Sequence, residues 1–136
     1  MRIHTNLFWV FYLQDEEVRL DSDKCGKWMY FFNDKTFAAS ICQKAVEGGV
    51  VQEAKHSNAE RGVACFYIEY DDVQAHKRVL QFMLENNLIQ KTKAGKLFNI
   101  SFKLDNQTRA GEYGSDFKSE IKLANFIDLN TGEWKI

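Results

Sequence analysis

Five cationic and two phenolic side chains are of the types that hold a phosphorylated ligand: Lys27, Lys55, Arg61, Lys103 and Arg109, with Tyr67 and Tyr113. Ammonium and guanidinium groups make short, charge-assisted hydrogen bonds to phosphate oxygens, and a phenol adds a ring face and a hydroxyl. Lys103, Arg109 and Tyr113 fall in one stretch, FKLDNQTRAGEYG at 102–114. Within it Gly111 and Gly114 permit positive φ or a close backbone approach, while Asp105 and Thr108 are suited to bond neighbouring amides as turn caps. Making a turn leaves Arg109 and Tyr113 over, beside Lys103, where with exposed amides they suit a phosphate or carboxylate. The competing account makes Arg109 a solvated charge and Tyr113 an aromatic at the edge of the core.

Other chemistries lack their residues. Cys25, Cys42 and Cys65 are odd in number and widely spaced, matching neither a disulfide framework nor a paired zinc site, and read as reduced cytosolic thiols. His4, His56 and His76 have no metal-face spacing, so no metal is expected, and His76 falls at the margin of a helix's apolar face. No dinucleotide or phosphate-loop motif is present, since Gly26-Lys27 precedes Trp28 rather than Ser or Thr, and no cofactor is expected. Lys55 and His56 are the nearest acid–base pair. Adjacent residues of a regular strand point to opposite faces, so these two share a pocket only across a bulge.

The 136 residues, 45% hydrophobic, 14% aromatic and 27% charged, fit one α+β domain spanning 1–136, with 11 Phe to fill its core. Eighteen basic against nineteen acidic residues leave a net charge of −1. No global field draws such a chain to duplex nucleic acid or an anionic membrane, and an anion site must be a local cluster. The longest apolar stretch, Leu7 to Leu13, is too short to span a bilayer and lacks signal-peptide flanks, so a soluble cytoplasmic protein is expected.

The elements follow from periodicity. TNLFWVFYL at 5–13 reads as one strand, followed by an acidic connection at 14–24, and KWMYFFN at 27–33 as a second strand. Asp34 is placed to cap a helix with Phe37, Ala38, Ile41, Cys42 and Ala45 on one face, ended by Gly48 and Gly49. Strands at 50–56 and 62–70 then form an antiparallel pair, and Asp71 or Asp72 opens a second helix bearing Val73, Leu80, Met83 and Leu84. LFNISFKL at 97–104 alternates most cleanly of all. FKSEIKLANFIDL at 117–129 reads as a last strand, turned by NTG at 130–132 into a hairpin.

From Lys27 to Leu104 the order is strand, helix, strand, strand, helix, strand, the split βαβ pattern, with both helices on one face of a curved antiparallel sheet. Parity sends Trp28, Tyr30, Phe32, Ala64, Phe66, Ile68, Phe98, Ile100, Phe102 and Leu104 toward the helices. Lys27, Cys65, Tyr67, Asn99, Ser101 and Lys103 are left on the open face. Lys27 and Lys103 are expected on neighbouring strands, either sharing an anion or reaching out to solvent.

Gly26-Lys27-Trp28, Ala54-Lys55, and Lys103-x-Asp105 with Thr108-x-x-Gly111-x-Tyr113 carry a resemblance. Over roughly residues 24–114 the chain resembles the family named for a basophilic-leukaemia-expressed protein, whose domain carries a phosphothreonine lyase label and whose fold is similar to the cap-binding translation initiation factors. The resemblance implies a curved sheet backed by helices, with a groove opposite. It places Trp9 and Trp28 at framework positions, and the connections at 14–24 and 57–61 hold no aromatic residue to stack a cap. The function expected first is non-catalytic binding of a phosphorylated small molecule, nucleotide or phosphopeptide. The alternatives are a protein-interaction module or inhibitor acting through its surface, and a phosphothreonine lyase-like enzyme.

Overall fold

A computed structural model describes residues 1–105 and 121–136; Thr108, Arg109, Gly111, Tyr113 and Gly114 lie outside the described residues. Six strands, β1 (Arg2–Thr5), β2 (Trp9–Leu13), β3 (Cys25–Phe32), β4 (Glu53–Ser57), β5 (Gly62–Glu69) and β6 (Lys103–Leu104), form one antiparallel open sheet in the order β1-β2-β4-β5-β3-β6. Helix α1 (Lys35–Glu47) follows β3 and α2 (Val73–Glu85) follows β5. The split βαβ order is thus present, extended on the β4 side by the β1–β2 hairpin.

Both helices start where short carboxylates satisfy their first amides. Asp34 accepts from Thr36 N and Phe37 N at 3.0 and 3.2 Å, and Asp72 accepts from Ala75 N at 3.1 Å. Gly49, at φ +73°, turns the chain out of α1 into the left-handed region. The helices bury Ala38, Ile41, Cys42 and Ala45, and Val79, Leu80 and Met83, on one face of the sheet. That face supplies Tyr12, Trp28, Ala54, Ala64, Phe66 and Ile68. Gly26 is fixed by packing, because a Cβ there would lie 2.5 Å from Phe102 Cζ.

Three segments differ from the sequence expectation. The segment 5–13 is a turn followed by a strand, because the Asn6 side chain accepts from the amides of Phe8 and Trp9 and folds the chain into a hairpin. The segment 97–104 pairs with β3 only at Lys103 and Leu104. Its other backbone groups bond elsewhere: Phe98 N to Gln90 O, Phe102 N to Ile121 O, and Ile100 O from Leu123 N, each at 2.9 Å. Phe98 consequently stands 41% exposed instead of facing the helices. In the described part of 117–129 there is a single 3-10 turn at Leu123–Asn125, since the buried positions Leu123, Phe126 and Ile127 recur every three or four residues. The tail beyond it turns at Gly132, φ +76°, as the expected hairpin, with Ile127 bridged to Trp134 and Asp128 N and Lys135 N donating to Glu133 O and Phe126 O, each at 2.8 Å.

Candidate functional site

The face opposite the helices carries the site. Alternation along β2 and β4 puts Trp9 and Phe11 beside Lys55, and the register Phe11↔Lys55↔Cys65 is continuous across three strands. The Lys55 ammonium lies over the Trp9 ring, 3.8 Å from its centroid, and 5.7 Å from the centroids of both Phe11 and Tyr67. Lys27 stands on the far side of the same tyrosine, 5.8 Å from its ring. Between them opens a groove of about 320 Å³, walled by Phe11, Cys25, Glu53, Lys55, Tyr67 and Asp105.

Lys27 and Lys103 face each other directly in the β3–β6 register. The anion beside Lys27 comes from the chain itself, for Asp105 Oδ1 accepts from Lys27 Nζ at 2.8 Å. Asp105 is thus an ion-pair partner of Lys27, and the amides that it was expected to cap lie outside the described residues. Lys55 differs: among the described residues it forms no ion pair, and aromatic faces are its company. Burial pulls its pKa below the ordinary lysine value, while burial pushes Glu53 above the usual carboxylate value despite the opposing charge of Lys55. Cation–π contact compensates part of the lost hydration of the ammonium but leaves its N–H donors uncommitted to any carboxylate.

The remaining reactive groups point elsewhere or stay protonated. His56 is on the helix side, 1% exposed, its Nε2 3.0 Å from the Tyr12 hydroxyl and its Nδ1 2.9 Å from Ser57 O. The β4 ladder runs through Lys55 and His56 without a bulge, so the two do not share a pocket. His76, expected at the margin of the apolar face of α2, is fully enclosed: Trp28 Nε1 donates to its Nδ1 at 3.0 Å and its Nε2 meets Tyr70 O at 2.8 Å. Burial lowers the pKa of both histidines. Burial also pushes the thiols of Cys65 and Cys25 up, to about 11 and about 12, so neither is a thiolate at neutral pH.

Of the sequence-predicted residues, the fold brings Lys27, Lys55, Tyr67 and Lys103 to one face. Arg61 is exposed on the β4–β5 turn, roughly 20 Å along β5 from Tyr67 at the ordinary strand rise, and does not line the groove. Arg109 and Tyr113 lie outside the described residues. Sequence reasoning missed Trp9, Phe11 and Glu53 as groove neighbours. Alternation within WVFYL and EAKHS carried the signal, but the pairing of β2 with β4 is needed to join them. No family model matches the chain, and no curated protein matches it in sequence. Among the described residues no group of three His, Cys, Asp or Glu could hold a metal ion, and no helix is long and apolar enough to cross a membrane.

Proposed function

We propose that this protein is a non-catalytic binding domain whose open sheet face takes a phosphorylated small molecule, nucleotide or phosphopeptide. The observation that carries this reading is Lys55: a half-buried ammonium held among three rings at the groove, with no carboxylate partner among the described residues. An entering phosphate gives that ammonium the charge-assisted bonds it lacks, in a setting where water competes weakly. Lys27 and Lys103 stand beside it, and Lys27 exchanges Asp105 for ligand oxygens. Trp9 and Tyr67 supply ring faces. Three free cysteines, two of them buried, support a cytoplasmic setting.

The reading agrees with the resemblance to the basophilic-leukaemia-expressed protein family and its cap-binding-like fold, which we keep as part of the proposal. A lyase reading needs a base beside Lys55, and His56 is turned away on the other face. The test is thermal unfolding with ATP, GTP, pyrophosphate or a phosphothreonine peptide, for the native chain and for Lys55→Ala and Lys103→Ala. A ligand at 100 times its Kd adds about 2.7 kcal/mol of stability. The expected result is a rise in Tm for the native chain with at least one ligand, and little or none for the variants. No shift with any of them, or equal shifts in the variants, removes the anion groove from consideration.

A further inference from the structure

A second site lies at the sheet edge and does not depend on the anion groove. Strand β3 pairs with β5 along all eight of its residues but with β6 only at Gly26 and Lys27. The phase of the ladder is fixed where Tyr70 N donates to Lys24 O at 2.9 Å. Antiparallel alternation then directs the backbone groups of Gly26, Trp28, Tyr30 and Phe32 to β5, and those of Lys27, Met29 and Phe31 to the opposite edge. Lys27 meets Lys103 there. Met29 and Phe31 meet no strand among the described residues, because the segment from Phe98 to Phe102 gives its bonds to Gln90, Ile121 and Leu123.

Between the edge at Met29 and Phe31 and the diverted segment is a groove of about 400 Å³. Its walls are Met29, Phe31, Leu88, Phe98 and Ile100 with a few uncharged polar neighbours, and among the described residues no Lys, Arg, Asp or Glu lines it. Phe31 is 68% exposed. The other edge of the sheet is treated differently, for β1 has only four residues and carries Arg2 and His4. Short, charged edges discourage strand addition, whereas an apolar edge with unpaired N–H and C=O groups is a template for it.

The occupant follows from what the groove lacks. Backbone donors and acceptors at two-residue spacing, set in an apolar trough, are satisfied together by a chain that brings its own backbone. Walls without charge select uncharged side chains. We propose that the open half of β3 is a docking site for an extended, uncharged, apolar-alternating segment of another protein, which joins the sheet beside Met29 and Phe31.

The test selects a phage-displayed library of random ten-residue peptides on the full chain. It then compares the enriched peptides on Phe31→Pro, which removes only an edge-facing N–H, and on Phe98→Asp, which alters an exposed wall residue. Amide exchange followed by NMR reads the edge directly. The expected result is fast exchange at Met29 and Phe31 in the free chain, slowed on peptide addition, with at least a tenfold loss of affinity in both variants. The proposal is overturned by slow exchange at those amides in the free chain, which means the chain covers its own edge. Protection that grows with protein concentration also overturns it, since the occupant is then a second copy. So does a selection that yields no peptide sensitive to the two variants.

Discussion

Lys55 and His56 are neighbours in β4, yet they occupy opposite kinds of environment. His56 lies on the helix-covered face, enclosed, with both ring nitrogens matched to protein groups. Lys55 lies on the open face, half out of water, its ammonium set on rings and free of carboxylates among the described residues. The same contrast holds across the whole sheet. Ala54, Ala64, Phe66 and Trp28 form a buried core with the helices, whereas Phe11, Glu53, Lys55 and Tyr67 line a groove. On one face burial goes with satisfied side-chain polar atoms among the described residues, and on the other the Lys55 ammonium has no carboxylate partner among them.

The sharpest way to break this comparison is to truncate one residue from each face. Phe66→Ala, in the fully buried layer, should cost about 3–5 kcal/mol in urea unfolding, the usual range for a deleted core aromatic. If Phe66→Ala costs less than 1 kcal/mol at roughly the ordinary scatter of surface changes, the helix face is not the folding core.

Acid should separate the two faces next. Both buried histidines have folded-state pKa values depressed below 6.5, so they hold neutral forms that the unfolded chain does not require. Their contribution is fully present above pH 6.5 and is lost as pH falls from there through the folded values. Within that window each histidine adds a slope of at most about 1.4 kcal/mol per pH unit, the one-proton limit. Chemical denaturation between pH 7.5 and 5 checks this, with His56→Gln and His76→Gln each expected to flatten the profile. An unchanged profile in both variants contradicts the assignment.

Asp105→Asn probes the groove. Releasing Lys27 from its ion pair should strengthen binding of a phosphorylated ligand about tenfold, equivalent to roughly one charge-assisted hydrogen bond. Isothermal titration with the ligand found by thermal shift measures it, and weakened binding would falsify the proposed exchange of partners. The smallest effect is expected for Trp9→Ala, about 1 kcal/mol, since the lost cation–π contact is partly exposed. A cost matching that of Phe66→Ala would place Trp9 in the folding core instead of on a ligand face.

Much of the framework was legible because local rules and burial agree. Asp34 and Asp72 cap the helices that they precede in sequence, and Ala64, Phe66 and Ile68 face inward as alternation requires. The adjacency of Lys27 and Lys103 also follows from the split βαβ order. The misread segments are those where partners compete. LFNISFKL alternates as a strand should, yet Gln90, Ile121 and Leu123 take its backbone bonds, and only Lys103 and Leu104 reach β3. In the candidate site, lysine identities were visible but their electrostatic fates were not. Asp105 and Lys27 are 78 positions apart in sequence, and their contact depends on the β3–β6 register.

The sequence by itself determined the α+β class, the element order from β3 to β6, the sides of β3 and β5 that face the helices, and the absence of a strong net charge. These are properties of composition, capping and two short periodicities, all local in the chain. The tertiary structure alone decided that Lys55 sits on aromatic rings while Lys27 is tied to Asp105, that His56 turns away from both, and that the β6-side edge of β3 meets no strand at Met29 and Phe31 among the described residues. Each depends on contacts between segments remote in the chain, and pairing between remote segments is set by global packing.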